Sequence, residues 1–222
     1  DSMKRVIATS RKTRTDVRFI TSLDEYELQK DLDKAEYLFF GKHNFSNAAL
    51  AAAAVKRFGI TAKEAWLALR TFKGARRRLE YIGSFNDAII YDDYGHHPTE
   101  IKTDIVSLKE KFPKSRLTLV FQPHQASRTK DFFEEFVRTL KEADNVIVTD
   151  IYNVAGREQD ENVSSEMLVK AITEEGGNAV YVALPYDNVL KYLKDNIKGN
   201  EVVLTVGATD ICEVAKGLAD VS

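Results

Sequence analysis

Two aspartates and two histidines lie close together in the run Asp92-Asp93-Tyr94-Gly95-His96-His97-Pro98-Thr99-Glu100. Carboxylates accept hydrogen bonds and ion pairs, and imidazoles move protons near neutral pH or ligate metals. The apolar run Ala88-Ile89-Ile90-Tyr91 enters this stretch, and Ile101, Ile105, Leu108 and Phe112 leave it at helical spacing. Asp93, His96 and His97 are therefore expected in a strand-to-helix loop at the carboxyl end of a strand, where open α/β sheets bind their ligands. Further loops of the same kind are expected at Gln122–Thr129, Asp150–Glu158, Pro185-Tyr186 and Gly207–Asp210. His124 joins His96 and His97, so three of the chain's four histidines fall in the first two loops. One bland alternative is that a histidine caps the helix beginning at Pro98. A metal-dependent hydrolase using Asp93, His96, His97 and His124 is another, since these types suit zinc or manganese; adjacent histidines, however, seldom both ligate one ion.

The fourth histidine stands in Gly41-Lys42-His43-Asn44-Phe45-Ser46-Asn47, at an expected helix start. The amide of Asn47 offers donor and acceptor on one plane, which suits the edge of a purine. Capping of the helix by Asn44 is the simpler alternative. The basic run Arg76-Arg77-Arg78 is either a solvated joint or a hinge whose guanidinium clamps a phosphate on closure.

Periodicity supplies the elements that must position these residues. Strands are expected at Val17–Ile20 and Glu36–Phe40. An alanine-rich helix from Asn44 to Phe58 should stop at Gly59, and a second should open on the capping box Thr61-x-x-Glu64. After the basic joint, Leu79–Ile82 and Ala88–Tyr91 flank turn residues and predict a hairpin. Strands at Leu117–Phe121, Val146–Thr149, Ala179–Val182 and Val202–Val206 then alternate with helices at Thr129–Glu142, Ser164–Glu175, Tyr186–Ile197 and Asp210–Leu218. Strict alternation of this kind means crossover units on a parallel sheet. The expected fold class is α/β: a Rossmann-like, mostly parallel sheet with flanking helices and an antiparallel hairpin at its start.

Bulk properties narrow the function classes. The 222 residues carry a net charge of -2, so no basic field argues for nucleic acid or an anionic membrane surface. Hydrophobic residues make up 44% of the chain, enough for a substantial core, yet no apolar run approaches the ~20 residues of a membrane span. The single cysteine, Cys212, excludes an internal disulfide and fits a reducing, cytoplasmic compartment. Asp1-Ser2-Met3 is either an added leader before a native start or the point where a longer protein was cut.

Four motifs taken together resemble the Mur ligases: Gly41-x-His43-Asn44-x-x-Asn47, Phe72-x-Gly74-x-x-Arg77-Arg78, Asp92 through Glu100, and Phe121-Gln122-Pro123-His124-x-x-Ser127-Arg128-Thr129. The resemblance runs from about Gly41 to the end of the chain. It implies that residues 1–73 are the tail of the family's central, ATP-binding α/β domain and that 74–222 are its C-terminal Rossmann-like domain. It further implies an ATP- and Mg2+-dependent reaction in peptidoglycan synthesis. The carboxylate of UDP-N-acetylmuramate is phosphorylated, and an amino acid, L-alanine from the doubled histidine and the Gln-Pro-His loop, displaces the phosphate. A ligase reattaching a recycled peptide to the same sugar nucleotide is the nearest relative reading, and a non-catalytic nucleotide-binding module the more distant one.

Carried onto this chain, the resemblance assigns His43, Asn44 and Asn47 to the adenine side. Arg77 is expected to reach the nucleotide on closure, and Asp93 to face ATP at the ribose. His96 and His97 link nucleotide to substrate, while Tyr94, His97, His124, Ser127 and Arg128 face the muramoyl and amino-acid groups. Arg77→Ala and Asp93→Ala are accordingly expected to damage turnover more than folding. The partners implied are the two substrates and the remaining domains of the same ligase. No phosphate-loop motif Gly-x-x-x-x-Gly-Lys-Ser/Thr occurs in these residues, so the chain alone is expected not to turn over ATP, and the magnesium ligands are expected mainly elsewhere. Gln125-Ala126 replaces an arginine and an aromatic residue usual in the alanine-adding members, and Thr209 replaces a usual glycine.

Overall fold

A computed structural model describes residues 37–153 and 162–219, and the chain divides into two compact units, Asp1–Phe72 and Lys73–Ser222. In the first unit, helix α1 (Lys42–Val55) passes into a 3-10 turn at Lys56–Phe58 that ends on Gly59 with φ 83°, the left-handed stop expected of a glycine there. Helix α2 (Ala62–Leu69) opens on the expected capping box: the Thr61 hydroxyl accepts the Glu64 N–H, and the Glu64 carboxylate accepts the Thr61 N–H. The strand expected at Val17–Ile20 lies outside the described residues. Tyr37–Phe40 do not form the strand expected of them. Tyr37 and Phe39 are buried and Leu38 is exposed, so burial alternates as in a strand, but these residues pair with no strand among the described residues. Their rings pack instead on Phe45 and Trp66.

The second unit is the six-stranded sheet expected from the alternation. Its strands are β1 (Glu80–Phe85), β2 (Ala88–Asp93), β3 (Arg116–Phe121), β4 (Asn145–Val148), β5 (Ala179–Tyr181) and β6 (Glu201–Val206), in the spatial order β1-β2-β6-β3-β4-β5. The β1–β2 pair is antiparallel and the other four pairs are parallel. Asn86 and Asp87, both with positive φ, make the two-residue hairpin turn between β1 and β2. Helices α3 (Pro98–Lys111), α4 (Ala126–Asp131), α5 (Phe133–Leu140), α6 (Ser165–Glu174) and α7 (Tyr186–Asn196) connect the strands, and α8 (Cys212–Ala219) follows β6. One continuous helix expected from Thr129 to Glu142 is two: α4 begins earlier, at Ala126, and the chain breaks at Phe132 (φ -111°) before α5. Strand β6 is buried along its whole length, as befits a central parallel strand covered on both faces.

The order of the strands positions the site. Strand β6 enters last but lies between β2 and β3. The loops leaving β2, β3 and β6 are thereby side by side at one edge, although 114 residues separate Asp93 from Gly207.

Candidate functional site

Arg77, Arg78 and Leu79 form the turn that enters β1, and two of these three have left-handed backbone: Arg77 (φ 55°) and Leu79 (φ 44°). Non-glycine residues adopt that region at a cost of order 1–3 kcal/mol each and persist in it only when their surroundings hold them. Here the holding groups are explicit. The Arg77 N–H donates to Glu80 Oε2 at 2.7 Å, the Leu79 N–H to Asp93 Oδ2 at 2.8 Å, and Arg77 O accepts the Tyr94 N–H at 2.8 Å.

The Arg77 side chain turns into the sheet edge rather than outward. Nε donates to Asp92 Oδ2, Nη1 to Thr209 O and Nη2 to Gly207 O, each at 2.8 Å. Asp92 is fully buried, and its other oxygen accepts the Thr205 hydroxyl at 2.7 Å. Burial pushes the Asp92 carboxyl up, while Arg77 and Thr205 pull it down. The Arg77 guanidinium, expected at a nucleotide, here ties β2 to the loop after β6. Arg78 is the neighbour left exposed, with no side-chain hydrogen bond among the described residues, and its charge bears on Asp93, Glu100 and Asp104.

Asp93, expected at the ribose, is a buried acid here. Only 3% exposed, it accepts Leu79 N–H on Oδ2 and Gly95 N–H on Oδ1 at 2.6 Å. It lies under the surface and holds the loops on either side of it.

His97 is the N-cap of α3: its Nδ1 accepts the Thr99 N–H at 3.3 Å, and Glu100 Oε2 accepts the N–H groups of His96 and His97 at 3.0 and 3.1 Å. The bland capping alternative therefore holds for His97, whose ring also packs edge-on against Phe132 with centroids 4.5 Å apart. Burial works against ionisation of Glu100, but those two N–H groups and the charges of His96 and Arg78 outweigh it and hold its carboxyl below the ordinary value. The His96 Nδ1 stands 3.2 Å from Tyr94 O.

Beyond these, rings line the edge in sequence. Arg77 lies over the Tyr94 ring (5.0 Å), Tyr94 meets His96 (5.9 Å), His96 meets His124 (6.1 Å), and His124 stacks on Tyr152 at 5.5 Å and 17°. Arg128 Nη1 is 3.1 Å from His124 Nδ1. Guanidinium can only donate, so a hydrogen bond here requires Nδ1 to accept. Ser127 is exposed at the start of α4. The structure thus brings Asp93, Tyr94, His96, His97, His124 and Arg128 to one edge of the second unit. His43, Asn44 and Asn47 belong to the first unit, on α1. There Asn44 is not the cap, because α1 starts earlier at Gly41-Lys42; its Nδ2 donates back to Phe40 O at 2.9 Å. Asn47 is exposed on the helix surface.

No three His, Cys, Asp or Glu side chains converge as a metal site among the described residues. Asp93, His96, His97 and His124 therefore do not form the cluster that a zinc or manganese hydrolase needs.

Sequence reasoning missed Arg78, Asp104, Gln122 and Tyr152. Gln122 is fully buried, and its Oε1 accepts from Tyr186 Oη and Thr209 Oγ1, so the unusual Thr209 anchors the loop after β6. Asp104 had a signal, since it interrupts the apolar face Ile101-Ile105-Leu108 of α3 with a charge. Gly207 is required by close approach: a Cβ there would lie 2.9 Å from Gln122 O. Gly207→Ala is therefore expected to lower stability by about 1–3 kcal/mol, measured by chemical denaturation; an unchanged midpoint would refute the fit.

An α/β sheet whose carboxyl edge gathers a strained arginine turn, a buried acid and a histidine-arginine loop defines an α/β domain with its candidate site at that edge. The sequence matches the family described as Mur ligase, glutamate ligase domain, over residues 77–209. A UDP-N-acetylmuramate–L-alanine ligase of Desulforapulum autotrophicum is 36% identical over 181 residues, which cover 82% of this chain and 40% of that protein. Among solved structures, UDP-N-acetylmuramate–alanine ligase from Thermotoga maritima is similar at 26% identity and a TM-score of 0.67, covering 81% of this chain and 37% of the other. A murein peptide ligase from Psychrobacter arcticus is similar at 25% identity and 0.57, covering 80% and 36%. The chain belongs to the Mur ligase family. It spans about two-fifths of the length of the curated relatives it matches, and no described helix is long and apolar enough to cross a membrane.

Proposed function

We propose that the chain is the closing half of a cytoplasmic, ATP- and magnesium-dependent ligase that joins L-alanine to the carboxylate of UDP-N-acetylmuramate through an acyl phosphate. Residues 1–73 are the end of the ATP-binding domain, with His43, Asn44 and Asn47 on its adenine side, and 74–222 are the C-terminal domain. Arg78, rather than Arg77, is the cation presented to the nucleotide, while Asp93 sets the turn that carries it. His96, His124 and Arg128 face the muramoyl and amino-acid groups, with Tyr94 and Ser127 at the rim. ATP supplies a phosphoryl group that converts a poor leaving oxygen into a good one; cations opposite it offset the charge that gathers during transfer.

The observation that carries this reading is the conjunction at one sheet edge of an exposed Arg78 beside buried Asp93 with the His124–Arg128 pair, in a chain of this family. The likeness to the murein peptide ligase supports a second reading, in which a peptide rather than L-alanine is the acceptor. Phosphate release by the full-length protein, with UDP-N-acetylmuramate and either L-alanine, other amino acids or a recycled peptide, decides between them. Release with none of these would overturn both. The 222-residue chain, without a Gly-x-x-x-x-Gly-Lys-Ser/Thr cradle, is expected to release no phosphate above background under the same conditions. Release at a rate comparable with the full-length protein would refute that.

A further inference from the structure

Asp104 lies on the inner face of α3 and is only 4% exposed. Its Oδ2 is buried with no hydrogen-bond partner, and no N–H or hydroxyl donor among the described residues reaches its carboxyl. The carboxyl group of Asp93, itself 3% exposed, lies within hydrogen-bonding reach of it. The charged groups facing it are Asp93 from β2, Glu100 from its own helix and Arg78 from the turn before β1. Two are negative and one is positive.

Two ionised carboxylates cannot share such a place. With water excluded, their repulsion is weakly screened, and a hydrogen bond between them requires a proton. The proton's position follows from the partners. Asp93 accepts two backbone N–H groups, which favour its charged form; Asp104 accepts none. We propose that Asp104 stands as a neutral carboxylic acid that donates its proton to the Asp93 carboxylate, and that this pair positions the strained turn bearing Arg78. Asp104 is thus a positioning residue, acting through Asp93 on Leu79 and Gly95. Its importance for catalysis rests on Arg78 facing the nucleotide, but the pairing itself does not.

Burial, with Asp93 and Glu100 adding to it, pushes the Asp104 carboxyl up to about 9 from an ordinary 3.8. The folded chain therefore keeps a proton that the unfolded chain releases. Stability from this group is full below the ordinary value and is lost as pH rises toward about 9.

Thermal unfolding of the 222-residue chain and of Asp104→Asn, from pH 5 to pH 10, tests the proton. Asparagine is neutral at every pH and can still donate. The variant's midpoint should rise relative to wild type as pH increases and level off above about 9; a difference constant across this range would overturn the proposal. Amide hydrogen exchange tests the positioning. Asp104→Ala should speed exchange at Leu79 and Gly95 by on the order of tenfold, with Asp104→Asn close to wild type. Equal exchange in all three proteins would overturn it. Should the proton and exchange results hold while full-length Asp104→Ala turns over normally, the pair stands and the nucleotide reading of Arg78 falls.

Discussion

Arg77→Ala is expected to cost the chain about 3 kcal/mol or more of folding stability, because the substitution strands the fully buried Asp92 without its cation. Three hydrogen bonds go with it, including those that tie the carbonyls of Gly207 and Thr209 to the start of β1. The guanidinium itself is 22% exposed, so the lower end of the range for broken buried pairs applies. Arg77→Lys should recover little, since an ammonium cannot serve three acceptors in the plane of a guanidinium fork. Asp92→Asn in the alanine background removes the stranded charge and should restore part of the loss, so the two changes together cost less than the sum of each alone. Chemical denaturation of the wild type, the three single variants and the double variant measures this directly. Additive losses, or a wild-type midpoint for Arg77→Ala, would show that the pair does not tie β2 to the last loop. The expected loss of stability would be a reversal of the expectation from motif position, that Arg77→Ala harms turnover more than folding.

That reversal shows where the sequence was legible. Elements whose burial follows a simple period were readable: the apolar runs of β2, β3 and β6 and the alternation that follows them announced a parallel sheet, and Gly59 and the Thr61–Glu64 box marked helix ends. The edge location of Asp93, His96 and His124 followed from the same alternation. What periodicity cannot reveal is which of two adjacent arginines turns inward. That choice was made by left-handed backbone at Arg77 and Leu79, held by Glu80 in β1 and by Asp93, more than a dozen residues away in β2. The break at Phe132 was hidden for a similar reason. Phe132, Phe133 and Phe136 read as one apolar helical face, yet Phe132 is drawn against His97 across the loop, and the helix divides there. Tyr37–Phe40 had the composition and alternating burial of a strand but no partner to pair with among the described residues. Asp104 alone gave its signal openly, a charge on an apolar stripe.

In the full-length protein, Arg78→Ala is expected to lower ATP-dependent phosphate release by about 10²–10³-fold while leaving the fold intact, a magnitude typical of removing one preorganised charge partner of a transition state. The reason begins with exposure. Arg78 is on the surface and has no side-chain hydrogen bond among the described residues, so its removal breaks no hydrogen bond to a buried group, and its helix-free turn is held by the backbone bonds of its neighbours. Its position is nevertheless set, because Leu79 N–H on Asp93 and Arg77 N–H on Glu80 clamp the turn on both sides. A charge held in place with no hydrogen bond of its own is what phosphoryl transfer requires of a closing domain. Arg76, two residues before, provides the internal control: it is also exposed, but its charge bears on Lys216 of α8, away from Asp93. Arg76→Ala should therefore turn over within about threefold of wild type, inside the range of ordinary surface substitutions. Arg78→Lys, which keeps the charge but loses the planar fork, should fall between wild type and alanine. Steady-state release by the three variants, with circular dichroism and thermal midpoints alongside, checks the assignment. Equal rates for Arg76→Ala and Arg78→Ala, or a collapse of the fold in Arg78→Ala, would remove Arg78 from the nucleotide side of the reaction.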